Sequence, residues 1–226
     1  MIGRQLPLPL PHRAALGRDD FFVAPSNAEA VSAIDSWPRW AVPALVITGP
    51  AGSGKTHLCA VFSAASGAVI CAAKNLHIDD VPRLAQAPAV IIEDADAASF
   101  DERALFHLYN MVSEQGGHLL ITGRRPPRQW PVMLADLVSR LLAALHLQLG
   151  VPDDDLLNAL IRKHLSDRQI RLRDEALVPY LISHIERSAD AAKAVIAELD
   201  ALALASGRRV GLKLARELLG ETDLSP

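Results

Sequence analysis

Four things are scarce in this 226-residue chain, and each scarcity closes off a class of protein. There are two cysteines, Cys59 and Cys71. With no metal-type spacing between them, neither a disulfide framework nor a zinc cluster is expected, and a reducing cytoplasm fits. Positive charge is not in surplus: the formal net charge is −3. That argues against a protein that coats nucleic acid by counterion release, while leaving room for a small basic patch. No apolar run is long enough to span a membrane. Arg4 does precede apolar residues, but the prolines that follow interrupt any helical signal sequence, so no leader is expected. Aromatic residues make up only 4% of a chain that is 50% hydrophobic, an ordinary globular composition tilted toward helix by its Ala and Leu.

Proline is concentrated at the start. GRQLPLPLP (residues 3–11) carries Pro7, Pro9 and Pro11, which bar both helix and sheet ladders. An extended, polyproline-like strip results, with its leucines offered outward. No internal repeat follows, and no other low-complexity stretch.

From Ala44 onward short apolar runs alternate with helical segments. ALVIT (44–48), AVICA (68–72), AVII (89–92), HLLIT (118–122) and AALHLQL (143–149) read as strands. Several are apolar almost throughout, as expected when both faces of a parallel sheet are covered. Lys55–Ser66 and Asp101–Gln115 have helical periodicity, with Asp101 as an N-cap. The alternation predicts a doubly wound α/β domain whose ligands gather at the carboxyl ends of the strands. After Gly150 the strand signals stop. The acids Asp153–Asp155 suit the N-terminus of a helix, and further helices are expected near 174–185, 188–206 and 211–219. The expected division is a tail (1–12), an α/β body (13–150) and a small all-helical domain (151–226).

GPAGSGKT (49–56) follows the first of these strands and precedes a helix. In that setting G-x-x-x-x-G-K-T is a phosphate loop: Gly49, Gly52 and Gly54 let the backbone curl so that its N–H groups face phosphate oxygens. The expected nucleotide contacts run through Ala51, Ser53, Lys55, Thr56 and His57 as well. Lys55 reaches the β and γ phosphates, and the Thr56 hydroxyl joins the shell of a Mg²⁺ ion. VIIEDAD (90–96) supplies Glu93, Asp94 and Asp96 as candidate acids at a neighbouring strand end. Glu93 and Asp94 are the expected catalytic pair, and Asp94 the expected metal ligand beside Thr56. The remaining histidines are scattered without ligand spacing. Trp37, Trp40 and Trp130 lie beside prolines and read as packing or lid contacts.

The loop continues as GKTHL, and with DFFVAPSNAEAVSAI (20–34), ITGRRPPRQ (121–129) and DLVSRL (136–141) the chain resembles the AAA+ domain of the bacterial replication initiator DnaA. The resemblance runs from about Asp19 to Leu219. It implies a five-stranded parallel sheet covered by helices, followed by a helical lid, with Phe22, Val23 and Asn27 lying over the adenine of ADP or ATP. It also implies that Arg140 is an arginine finger acting on a neighbour. No helix-turn-helix reader of duplex DNA is expected after the lid, and the connection from Ala73 to Pro88 is short where DnaA carries extra helices. These features, with Gln5-Leu6-Pro7-Leu8-Pro9-Leu10, are similar to the Hda family of DnaA-related regulators. Members of that family dock on the DNA polymerase sliding clamp through such a peptide and promote hydrolysis of DnaA-bound ATP. The resemblance therefore nominates Gln5, Leu6, Leu8, Pro9 and Leu10 as clamp-binding, and the clamp and DnaA as partners, with a homo-oligomer possible. Burying Leu8 and Leu10 would contribute roughly 2 kcal/mol each before ordering costs. Three departures from the relatives' pattern imply weak intrinsic turnover: Glu93 leads the acid pair, Arg124 stands where an Asp is usual, and Asp190 falls near the position of a lid arginine, with Arg187 earlier. Rival readings are a clamp-tethered adaptor with no hydrolytic role and a helicase-loader-like ATPase.

Overall fold

The computed structural model describes residues 21–97 and 99–220. The proline-leucine tail, with Gln5, Leu6, Leu8, Pro9 and Leu10, lies outside the described residues.

Five parallel strands form one sheet in the order β2-β3-β4-β1-β5. They are β1 (Ala44–Thr48), β2 (Val69–Ala72), β3 (Ala89–Glu93), β4 (His118–Gly123) and β5 (Leu145–Gln148). Side chains alternate across a strand, so each central strand feeds two cores. Val46, Val90, Ile92, Leu119 and Ile121 point to one face, where α4 (Glu102–Glu114) and α5 (Ala135–Ala143) cover them. Leu45, Ile47, Ala89, Ile91 and Leu120 point to the other, beneath α1 (Ala28–Asp35) and α2 (Lys55–Ser66). On that second face Trp40 stacks on Phe62 at 5.3 Å and Trp37 meets the same ring edge-on, as packing residues do.

Two strand readings need correction. The 68–72 run is a strand only from Val69, and it lies at the sheet edge with Val69 and Ile70 exposed rather than covered on both faces. The 143–149 run is a strand only over Leu145–Gln148: Ala143 closes α5, Ala144 is its C-cap, and Leu149 lies past the strand's end.

Helix ends follow local chemistry. Asp101 caps α4 by accepting the Ala104 N–H at 2.9 Å. The neighbouring Glu102 carboxylate accepts the N–H groups of Met133 (3.0 Å) and Leu134 (2.7 Å), fixing the entry to α5. A short α3 (Val81–Leu84) bridges β2 and β3. Beyond β5, α6 (Asp154–Asp167) is capped by Asp153, which explains the acidic run there. It packs with α7 (Leu177–His184), α8 (Ala189–Ser206) and α9 (Leu212–Leu218) around Leu157, Ile161, Val178, Leu181, Ile196 and Leu199. Among the described residues no helix is long and apolar enough to cross a membrane.

Candidate functional site

The phosphate loop joins β1 to α2 at the carboxyl edge of the sheet. It is anchored at its start by the Gly49 N–H, which donates to Gly123 O at the end of β4 (3.2 Å). Gly54 takes φ +96° and Gly52 φ +67°, both in the left-handed region that disfavours side chains. The first amides of α2 have no intrahelical partner and carry the positive end of the helix dipole. An anion therefore has a ready seat.

Lys55 is buried and folded over the loop, donating to Gly49 O at 2.7 Å and Pro50 O at 2.8 Å. Burial lowers its proton affinity; the Asp94 carboxylate works in the opposite direction, and Arg124 adds to the lowering. Thr56 stands exposed on the first turn of the helix.

Of the residues that the DnaA resemblance nominates for the adenine, Phe22 and Val23 are exposed, whereas Asn27 is buried. Both ends of its carboxamide are engaged: Nδ2 donates to Phe22 O and Oδ1 accepts from the Ala24 N–H, each at 2.9 Å. Asn27 thus shapes the strip that presents Phe22 and Val23. Phe21, not singled out by the sequence reading, packs edge-on against His57 at 5.0 Å and lies close to Gly54. His57 is held to the wall of the site by that contact.

At the end of β3, Glu93 lies by Cys59, whose thiol is pushed far above its ordinary value by burial and then by that carboxylate. Asp94 follows with φ +55°, uncommon for a residue with a side chain. Its N–H donates to Thr122 Oγ1 at 3.3 Å, and Ala95 N–H to Thr122 O at 2.8 Å, so β4 holds this turn. Asp96 is buried and engaged elsewhere: it accepts the Arg125 N–H at 3.2 Å and faces the same residue's guanidinium at 3.7 Å. Trp130 packs beneath Gly123. These strand ends enclose a cleft of 530 Å³ lined by Ala72, Ala73, Lys74, Glu93, Asp94, Asp96, Ala97, Arg124 and Arg125. Among the described residues no cluster of three or more His, Cys, Asp or Glu forms a ready-made metal cage; hydroxyl and carboxylate oxygens such as those expected of Thr56 and Asp94 are of the kind Mg²⁺ takes alongside phosphate oxygens and water.

The helical lid meets the loop directly. Ala189 N–H donates to Gly52 O at 2.8 Å, and a Cβ built on Gly52 would lie 2.6 Å from Ser188 Cβ and 3.3 Å from Asp190 Oδ2. The carboxylate of Asp190 therefore borders the phosphate loop. Arg187 does not, because it donates to Pro152 O (3.2 Å) and pairs with Asp154 on α6. Arg140 lies apart from the cleft lining, exposed in the last turn of α5 with its guanidinium 5.6 Å from the Tyr109 ring centre.

No protein-family model matches the chain. Domain III of the replication initiation protein DnaA from Thermotoga maritima superposes with a TM-score of 0.79 at 20% identity, covering 96% of this chain and all of that domain. The fold is that of the DnaA AAA+ domain. DnaA from Aquifex aeolicus in its AMPPCP-bound form matches with a TM-score of 0.68 at 16% identity over 80% of this chain and 64% of that one. By sequence, the chromosomal replication initiator DnaA of Sphingopyxis alaskensis is 25% identical over 231 residues, which is 91% of this chain and 51% of that protein. The chain thus spans about half the length of the curated DnaA it matches.

Proposed function

We propose that the protein binds ADP or ATP with Mg²⁺ in the 49–56 loop and restrains DNA replication initiation, docking on the sliding clamp through residues 5–10 and promoting hydrolysis of ATP held by DnaA. The observation that carries the nucleotide part is the loop itself: left-handed Gly52 and Gly54, buried Lys55 and the open N-terminus of α2, seated at the strand ends of a DnaA-type domain. Two features support an action in trans. Arg140 is exposed on α5 and lines no part of the chain's own cleft. A guanidinium delivered to a neighbour's transferring phosphoryl stabilises the charge that develops there. Weak turnover of the chain's own nucleotide is expected, since Asp190 places a negative charge beside the loop.

Single-turnover hydrolysis of labelled ATP preloaded on DnaA, with clamp on DNA, tests this. The native chain is expected to accelerate hydrolysis, and Arg140→Ala to lose that acceleration by about 10³-fold while still binding the clamp. No acceleration by the native chain, with clamp binding proven, would leave a clamp-tethered nucleotide-binding adaptor.

A further inference from the structure

α5 is held from α4 at two places, and the second is Arg140. The N-cap position of α5 is Leu134, whose side chain cannot accept an N–H. Glu102, in the first turn of α4, fills that role from outside. Its carboxylate accepts the N–H groups of Met133 (3.0 Å) and Leu134 (2.7 Å), and its negative charge suits both helix N-termini. Near the other end of α5 the Arg140 guanidinium lies 5.6 Å from the ring centre of Tyr109, a buried residue of the core beneath α4. Glu102 and Tyr109 are about two turns apart on α4, and Leu134 and Arg140 nearly as far apart on α5. The two attachments therefore come in the same order along both helices, with α4 acting as a rail for α5.

What holds Arg140 is a ring and not an acid. Asp136 stands one turn earlier at the spacing of an ordinary helical ion pair, and both side chains are exposed. Yet among the described residues no ion pair or side-chain hydrogen bond engages this guanidinium. A ring face orients a cation through its quadrupole and leaves the charge in place, whereas a carboxylate would offset it. The direction of the guanidinium is set while its charge stays free for an anion.

We propose that Tyr109 is a positioning residue for Arg140: its ring holds the guanidinium in the attitude presented to a partner's phosphoryl group, and Glu102 sets the register of α5 on α4 that brings the two together. The inference rests on the reading of Arg140 as a finger acting in trans. Stabilisation by a delivered charge falls steeply when the charge is misplaced, so loss of the ring costs rate even though Arg140 remains.

Single-turnover hydrolysis of ATP on DnaA, with clamp on DNA and the full chain at a series of concentrations, separates the rate at saturation from the half-saturating concentration. Tyr109→Leu is expected to lower the saturating rate about tenfold and to change the half-saturating concentration by less than about twofold. Tyr109→Phe, which keeps the ring, is expected to stay within about twofold of native in both. In an Arg140→Ala background Tyr109→Leu is expected to do nothing further, because it acts through the guanidinium. A native rate for Tyr109→Leu, or an equal added loss in the Arg140→Ala background, overturns the role of Tyr109 and leaves Arg140 as the finger. No acceleration by the native chain overturns the finger reading and this inference together. The contact itself is read without a partner by NMR. The Arg140 Nε–H proton is expected to be shifted upfield by the ring in the native chain and in Tyr109→Phe, and an unshifted native resonance overturns the proposal. Should Tyr109→Leu fail to fold, Glu102→Ala takes its place: it is expected to reduce both the saturating rate and the upfield shift, and native values of both overturn the proposal.

Discussion

At the scale of single residues, the site depends on positions where a side chain is excluded. Gly52 combines φ +67° with a lid atom 2.6 Å from where its Cβ would be. An alanine there meets backbone strain of about 1–2 kcal/mol and must also push Ser188 away, which breaks the Ala189–Gly52 hydrogen bond. Gly52→Ala is therefore expected to lower stability by about 2 kcal/mol and to weaken ADP binding, read by thermal melts and titration calorimetry. Undiminished ADP affinity would show that the lid contact does not shape the loop. At Gly54, φ +96°, a Cβ would make only ordinary contact with the Phe21 ring at 3.7 Å, so its demand is conformational only. Asp94 takes a left-handed conformation without being glycine, and Thr122 supplies the hydrogen bond that holds it there.

Elements show how far residue patterns carry. Asp101 illustrates a local signal that is both legible and testable: its side chain accepts one N–H of α4, so Asp101→Ala is expected to cost about 1 kcal/mol in a denaturation experiment. A loss well under half of that would mean water replaces the cap. β1, β3 and β4 read directly because both their faces are almost wholly buried and the residues between their ends are mostly apolar. β2 has the same composition yet lies at the edge, and nothing in four apolar residues records which strand stands next to them. The join of α5 to β5 is blurred because LLAAL is apolar through the end of the helix and the start of the strand. The loop motif and the acids of β3 are contiguous and therefore visible in the chain. The meeting of Gly52 with Ser188–Asp190, the pairing of Asp96 with Arg125 and the packing of Phe21 on His57 are products of folding. Of these only Asp190 carries a local signal, its place near the start of a predicted helix.

At the scale of the whole molecule, the described residues hold three apolar cores that carry stability: one on each face of the sheet and one within the lid. Each has a histidine held against its boundary or its helix. His118 opens β4 beneath the Trp37 and Trp40 rings, His146 on β5 bonds Thr48 Oγ1 at 2.8 Å, and His164 lies on α6. Burial lowers the proton affinity of all three; at His164 Arg168 adds to the lowering and Asp167 opposes it. The unfolded chain takes up protons as pH falls through the ordinary histidine value of about 6.5, whereas the folded chain takes them up only at lower pH. Stability is thus complete above that value, falls as the pH drops below it, and stops falling from this source once the folded histidines are protonated. The melting temperature is expected to decline between about pH 7 and pH 5, above the range where most carboxylates titrate. Replacing His118, His146 and His164 together by glutamine should flatten that decline. If the slope survives the triple replacement, the acid sensitivity comes from groups other than the histidines that these cores hold neutral.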